Sequence, residues 1–394
     1  MRIINAAFYG TDRKFHKGNI ETEGGVIKKI FGEDDSVMPC SDESFGEEID
    51  ASGMYVIPGL IDLHFHGALG YDVCDGKIGD FEKIAAYELS QGVTSICPAT
   101  MTLPEEQLIT VLSCGKRFSD EHAGDNSLSE LIGFNMEGPF ISHAKKGAQN
   151  EEFIKHADVS MAERFIAAAG GLLKIIGLAP EENPGFEDYI RAVKDKVTVS
   201  LAHTNADYDT AMKAIEAGAA HAVHLYNAMS SFSHRDPGVV NAVFDSESVN
   251  AELICDGIHV HPAAVRSAFS ELSSDRVVFI SDSLRAAGMP DGVYELGGQK
   301  IEKKGRICTL YGTSTISGSV SNLYECMTNA VKTMDIPLED AVLCATKNPA
   351  KILGVSDRIG EISPGKQADL LIMDKELNLK AVIKRGQVTS HLSI

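Results

Sequence analysis

Two histidines one residue apart close an apolar run, Val56-Ile57-Pro58-Gly59-Leu60-Ile61-Asp62-Leu63-His64-Phe65-His66-Gly67. In an extended strand residues i and i+2 share a face, so His64 and His66 can both address one point just beyond the strand end. A divalent metal suits such a point. A single His-x-His pair also occurs as two polar residues at a strand terminus, and short motifs recur by chance. Recurrence is what gives this pair weight. Apolar segments further along again end in ligand-type side chains: Glu137 after Phe134-Asn135-Met136, His203 after Leu201-Ala202, His224 after Ala222-Val223, and Asp282 after Phe279-Ile280-Ser281. Taken singly, His203 and His224 could be hydrogen-bonded core histidines, Glu137 the start of a turn and Asp282 a helix cap. Together, neutral imidazoles and carboxylates form a donor set for zinc first, or for iron or another first-row metal. One or two divalent cations per chain are expected.

The elements that must position these residues begin at Tyr55. Eight short apolar segments, 55–63, 92–99, 131–136, 173–179, 197–202, 219–225, 251–255 and 276–281, alternate with amphipathic stretches such as 80–91, 104–118, 206–217 and 262–272. Near-continuous apolar strands alternating with helices predict an α/β protein with a parallel sheet covered on both faces. Eight units predict a TIM-like (β/α)8 barrel over 57–358, whose active face is the carboxyl ends of the strands. An open doubly wound sheet is the alternative, but no G-x-G-x-x-G follows an early strand. A Gly-rich, hairpin-like insertion at 288–312 and two helices, 320–334 and 337–353, follow the eighth strand. Residues 1–56 and 359–394 read as short strands, with a turn at Gly24-Gly25 and a polar loop at 32–44. Neither set is large enough to stand alone, so both ends are expected to pair in one small β-sandwich domain. By strand alternation His221 should face away from His224 and be structural, while His16, His122, His156 and His391 lie in polar stretches and should be solvated.

A chain of 394 residues with 44% hydrophobic content can bury a large core, and its formal net charge of −20 argues against nucleic-acid or anionic-membrane partners. An anionic substrate would need a dedicated local cation. Eight cysteines are scattered without a Cys-x-x-Cys pair, which fits reduced thiols. No apolar run is long enough for a secretory signal or a membrane span, and the expected location is the cytoplasm.

The motifs together resemble the amidohydrolase superfamily and, within it, the N-acetylglucosamine-6-phosphate deacetylases, over essentially the whole chain. The carrying segments are 58–67, Asn135-Met136-Glu137-Gly138-Pro139-Phe140, Lys146-Gly147-Ala148-Gln149, Ala202-His203-Thr204-Asn205-Ala206 and His224-Leu225-Tyr226-Asn227-Ala228-Met229. Arg235-Asp236-Pro237-Gly238, Asp256-Gly257-Ile258-His259, Ser281-Asp282, Ile316-Ser317-Gly318-Ser319 and the tail 360–370 also match. The resemblance implies that Glu137, His203 and His224 hold one metal and that Asp282 is the catalytic aspartate. It implies substrate contacts from Ala148, Gln149, Asn227, Ala228, Arg235, Asp256, His259, Ile316, Ser317 and Gly318. His64 and His66 match the form with a second metal bridged by Glu137; Gln149 departs from the histidine of several members. The implied reaction is removal of acetyl from N-acetylglucosamine 6-phosphate, in amino-sugar catabolism and cell-wall sugar recycling, by a homodimer in which Arg235 reaches the neighbouring site. Competing readings are an amidohydrolase of another N-acyl or cyclic amide and a non-catalytic relative. The first would need a bridging lysine, and strand four ends Gly177-Leu178-Ala179 without one.

Overall fold

The computed structural model describes residues 1–32 and 47–391, with side chains through Thr389, so the polar loop expected at 32–44 lies, but for Gly32, outside the described residues, as does the side chain of His391. Seven strands, Ala99–Thr100, Phe134–Met136, Leu173–Leu178, Thr198–Leu201, His221–Ala222, Asn250–Ile254 and Val277–Ile280, form one parallel sheet in chain order. Leu60–Asp62, Val93–Ile96 and Glu130–Leu131 form a second parallel sheet. Helices between the strands cover their outer faces, among them Ile78–Ser90, Glu105–Glu121, Tyr208–Ala217 and Pro262–Arg276. The strands are buried almost throughout, as their unbroken apolar character requires. Backbone hydrogen bonds from Cys97 N to Asp62 O (2.8 Å) and from Asn135 N to Pro98 O (3.0 Å) bind the sheets together. Asp282 N to His64 O (2.9 Å) and His66 N to Ser283 O (2.7 Å) join the end of the last strand to the end of the first.

The segment expected as one strand over 55–63 is two. Tyr55–Pro58 pairs with Arg2–Tyr9 and Leu370–Met373, whereas Leu60–Asp62 pairs with Val93–Ile96. The break falls at Gly59, where a Cβ would lie 2.3 Å from the Thr94 hydroxyl, so only glycine lets the chain pass between the two sheets. Pro98 likewise divides the 92–99 segment, because it has no N–H for the ladder.

Both chain ends enter one hydrogen-bonded sheet of eight strands, in the order Gln387–His391, Leu379–Lys384, Leu370–Met373, Tyr55–Pro58, Arg2–Tyr9, Phe15–Glu23 and Val26–Gly32, with Glu48–Asp50 beside Arg2–Tyr9. It encloses its own core of Ile3, Ile20, Val56, Leu370, Ile372 and Ile383. Polar contacts tie it to the larger unit: Lys384 Nζ donates to Thr94 O (2.7 Å), and Glu130 receives Arg385 (3.1 Å). The insertion after the eighth strand is a three-stranded antiparallel sheet, Gly292–Leu296, Gln299–Lys304 and Ile307–Leu310. It leans on the loops around the strand ends through Gln299 Nε2 to Ala148 O (2.5 Å) and Arg306 to Asp256 O (2.7 Å). Among the described residues no helix is long and apolar enough to cross a membrane.

Candidate active site

The six residues at the strand ends converge. His203 Nε2 and His224 Nε2 lie 2.7 and 2.8 Å from Glu137 Oε1 and 3.2 Å from each other. His64 Nε2 lies 3.7 Å from both Glu137 and Asp282, and His66 Nε2 lies 3.5 Å from Glu137 and 3.3 Å from Asp282. Among the described residues two groups have donor atoms within 4.8 Å of one another, His64–Glu137–His224 and His64–His66–Asp282. His203, His224 and Asp282 carry positive φ (43°, 27° and 50°), a strained conformation for residues with a Cβ. Each sits just past a strand, where the surrounding hydrogen bonds hold it.

The second nitrogen of each ring is anchored. His203 Nδ1 meets Lys145 O (2.8 Å), His224 Nδ1 meets Asn227 O (3.1 Å), His66 Nδ1 meets Ala99 O (3.2 Å) and His64 Nδ1 meets Glu252 Oε2 (2.7 Å). These carbonyls and this carboxylate can only accept, so every Nε2 is left facing the centre, the usual outer arrangement of metal-binding histidines. His64 Nε2 is buried without a hydrogen-bond partner. A buried orphan of that kind, among imidazoles and carboxylates, fits a divalent cation. Burial would push the Glu137 carboxyl up, but His203, His224 and His64 hold it well below the usual range. For His64 the reverse applies: burial pushes it down, yet the carboxylates of Glu252, Glu137 and Asp282 push it up to about 10. The cluster therefore attracts positive charge, and a divalent ion would compete with protons for it.

A cavity of about 310 Å³ opens onto this centre. It is lined by His66, Glu137, His203, His224 and Asp282 on one side, and by Ala148, Gln149, Asn227, Ala228, His259 and Ile316-Ser317-Gly318 on the other. Three expected contacts stand differently. Asp256 does not line the cavity: its carboxylate receives His259 Nδ1 (2.7 Å) and the N–H groups of Ile258 (2.8 Å) and His259 (2.9 Å). Its geometry instead orients His259, whose Nε2 has no protein partner. Gln149 is committed at both ends, accepting from Thr102 N (2.6 Å) and donating to Glu137 Oε2 (2.5 Å). Arg235 lies exposed on the loop after His224, outside the cavity of its own chain.

His221 is a correction. It is buried with Nε2 3.6 Å from Glu252 Oε1, the carboxylate that also meets His64 Nδ1, and so is not turned away. The strand ends at Ala222 and the positive φ at His224 resets the alternation. Its structural reading holds, since it bonds Ser200 (3.0 Å) and lies outside the cavity lining. Glu252 was missed altogether; its one signal was a carboxylate inside the otherwise apolar strand Ala251-Glu252-Leu253-Ile254.

The Amidohydrolase family pattern matches residues 55–389. The chain is 36% identical to the N-acetylglucosamine-6-phosphate deacetylase of Bacillus subtilis, over 94% of this chain and 95% of that one. It is 32% identical to the N-acetylgalactosamine-6-phosphate deacetylase of Escherichia coli O157:H7, over 84% and 87%. Among solved structures, a mutant N-acetyl-D-glucosamine-6-phosphate deacetylase from Mycobacterium smegmatis, in complex with N-acetyl-D-glucosamine-6-phosphate, matches with a TM-score of 0.90 at 28% identity, covering 99% of both chains. The chain belongs to the amidohydrolase family, on the branch that carries the N-acetylhexosamine-6-phosphate deacetylases.

Proposed function

We propose that this chain is a hydrolase that removes the acetyl group from N-acetyl-D-glucosamine 6-phosphate, giving D-glucosamine 6-phosphate and acetate, in amino-sugar catabolism and the recycling of cell-wall sugars. The carrying observation is the convergence of three histidines, Glu137 and Asp282 with His259 on one cavity. The match to a deacetylase bound to this sugar phosphate supports it.

Glu137, His203 and His224 would hold one divalent metal, and His64, His66 and Asp282 a second, with Glu137 shared; zinc is the first choice and iron the next. Such an ion would polarise the acetyl carbonyl and acidify water. Asp282 takes a proton from the attacking water and returns it to the amide nitrogen as the C–N bond breaks, so that acetate and free amine leave. Burial opposes ionisation of Asp282, but His66 and His64 hold it below its usual range, in the form that accepts a proton. Burial pushes His259 down and Asp256 more than offsets this, and its Nε2, without a protein partner, is left to meet a substrate oxygen. Arg235 is assigned to the 6-phosphate of the substrate in the neighbouring subunit of a homodimer. Its exposed position, beside Phe232 at 59% exposure, supports that reading.

We assign the two parallel sheets to a closed (β/α)8 barrel over 57–358, supported by the hydrogen bonds between the first and last strand ends. We assign 1–56 plus 359–394 to a β-sandwich domain, its last N-terminal strand running on to Pro58; the bridge between Val26 and Gln367 supports the fold-over. A cytoplasmic location is supported by seven free cysteines among the described residues, six of them buried.

The test is acetate release from metal-reconstituted protein, with N-acetylglucosamine and N-acetylgalactosamine offered with and without a 6-phosphate. Fastest release from N-acetylglucosamine 6-phosphate is expected. Preference for the galacto epimer would move the assignment to that sugar. No release from any of the four would overturn it in favour of another amide substrate or a non-catalytic relative.

A further inference from the structure

Glu252 is a carboxylate that touches two of the proposed metal ligands, His64 and His224, without facing the cavity. It is fully buried on the Asn250–Ile254 strand. Its Oε2 receives His64 Nδ1 at 2.7 Å and the backbone N–H of His224 at 2.9 Å. Its Oε1 receives Asn135 Nδ2 at 3.2 Å and lies 3.6 Å from His221 Nε2. Every neighbour is therefore a donor or can be one, and a carboxylate, which only accepts, answers all of them at once. A buried carboxylate so surrounded costs little to keep ionised, whereas any neutral side chain there would leave a donor unpaired.

The consequence falls on His64. The ring of a neutral histidine has one N–H, and Glu252 claims it at Nδ1. The lone pair must then lie on Nε2, the atom that is buried, without a partner, and within 3.7 Å of Glu137 and Asp282. In the assignment proposed above His64 belongs to the second metal, with His66 and Asp282. The other three ligand histidines are oriented by backbone carbonyls, which come with the fold; only His64 depends on a side chain that one substitution can remove.

We infer that Glu252 is a positioning residue that makes His64 a ligand, and that it thereby decides whether this chain holds a second metal. The inference rests on the two-metal reading above.

The test uses full-length protein stripped of metal and titrated with Zn²⁺. Stepwise affinities come from calorimetry, and zinc per chain from elemental analysis, for the parent and for Glu252→Gln. The parent should take up two ions. In Glu252→Gln the second should bind about 10- to 100-fold more weakly, the usual effect of losing an outer-shell partner, while the first stays in place and reports an intact fold. A purely structural role would weaken both alike. A parent that binds two ions beside a variant that binds both with unchanged affinity overturns the inference alone. A parent that binds only one overturns the two-metal reading and this inference with it. Should Glu252→Gln not fold, the zinc-loaded parent decides: nitrogen-15 spectra of labelled histidines must show His64 protonated at Nδ1, and a proton at Nε2 overturns the inference.

Discussion

Three of the residues proposed to do chemistry, His203, His224 and Asp282, sit in left-handed backbone that costs roughly 1–2 kcal/mol each in an ordinary context. That strain is held by backbone hydrogen bonds such as Ser142 N to His203 O (2.9 Å) and Ser319 N to Asp282 O (2.8 Å), which fix where each side chain points. Asp282 is the sharpest case, because its carboxylate must accept a proton and give it back. In Asp282→Asn the amide keeps the shape and loses the basicity. Turnover should fall by about 10²–10⁴-fold, the usual contribution of a positioned acid–base group, while Glu137, His203 and His224 still take up metal. Initial rates alongside elemental analysis check this, and turnover within about tenfold of the parent would remove Asp282 from the role.

Elements matter here through how closely they approach. The Leu173–Leu178 strand carries Gly177 where a Cβ would stand 2.3 Å from the carbonyl oxygen of Glu137 and 2.9 Å from the Ala202 Cβ. The Phe134–Met136 and Thr198–Leu201 strands thus present Glu137 and His203 across a gap that only a bare backbone leaves open. Gly177→Ala should push Glu137 and His203 apart, lowering stability by about 1–3 kcal/mol as other overpacked cores do. The first metal should bind more weakly in the same protein. Denaturant melts and a zinc titration would read the two effects, and a normal titration would mean that the strands adjust without moving the ligands.

At the scale of the whole molecule, two junctions are open to test. Glu130 joins the strand set of the site to the sheet built from the chain ends through Arg385 and, at 4.0 Å, Lys384, and also pairs with Arg358. Burial pushes its carboxyl up, but Arg358, Lys384 and Arg385 hold it below its ordinary value of 4.5. A lowered carboxyl contributes stability that is fully present above the ordinary value and is lost as pH falls through the folded one. Glu130→Gln should therefore cost about 2 kcal/mol at neutral pH, in line with charged hydrogen bonds. The gap in melting temperature between parent and variant should close below pH 4.5. A gap that stays constant with pH would assign the loss to packing.

The second junction is between subunits. If Arg235 serves its neighbour's substrate, Asp282→Asn and Arg235→Ala chains are each inactive alone but complementary when mixed. One site of each mixed dimer then has both groups, so unfolding and refolding the two together should restore up to about a quarter of parental activity in a symmetric dimer. Mixtures no more active than their components would place Arg235 in its own subunit's chemistry or in none.

Donor type and strand period are local properties, and they were enough to bring His64, His66, Glu137, His203, His224 and Asp282 to one rim and to read the alternation of strands and helices. The pairing of the two chain ends was legible for the same reason, since strand-like segments too small to stand alone must find each other. Partnership between buried polar groups is not local. His64 and Glu252 are 188 residues apart and meet only because the first and seventh strands of the series come together around one interior. The same holds for Gln149, spent between Thr102 and Glu137, for Asp256, spent on His259, and for His224, whose own positive φ breaks the alternation counted from His221. Sequence alone determined which residues could bind a metal. Only the tertiary structure decided which nitrogen each one offers, because a tautomer is set by the partner on the far side of the ring, and that partner is chosen by strand packing.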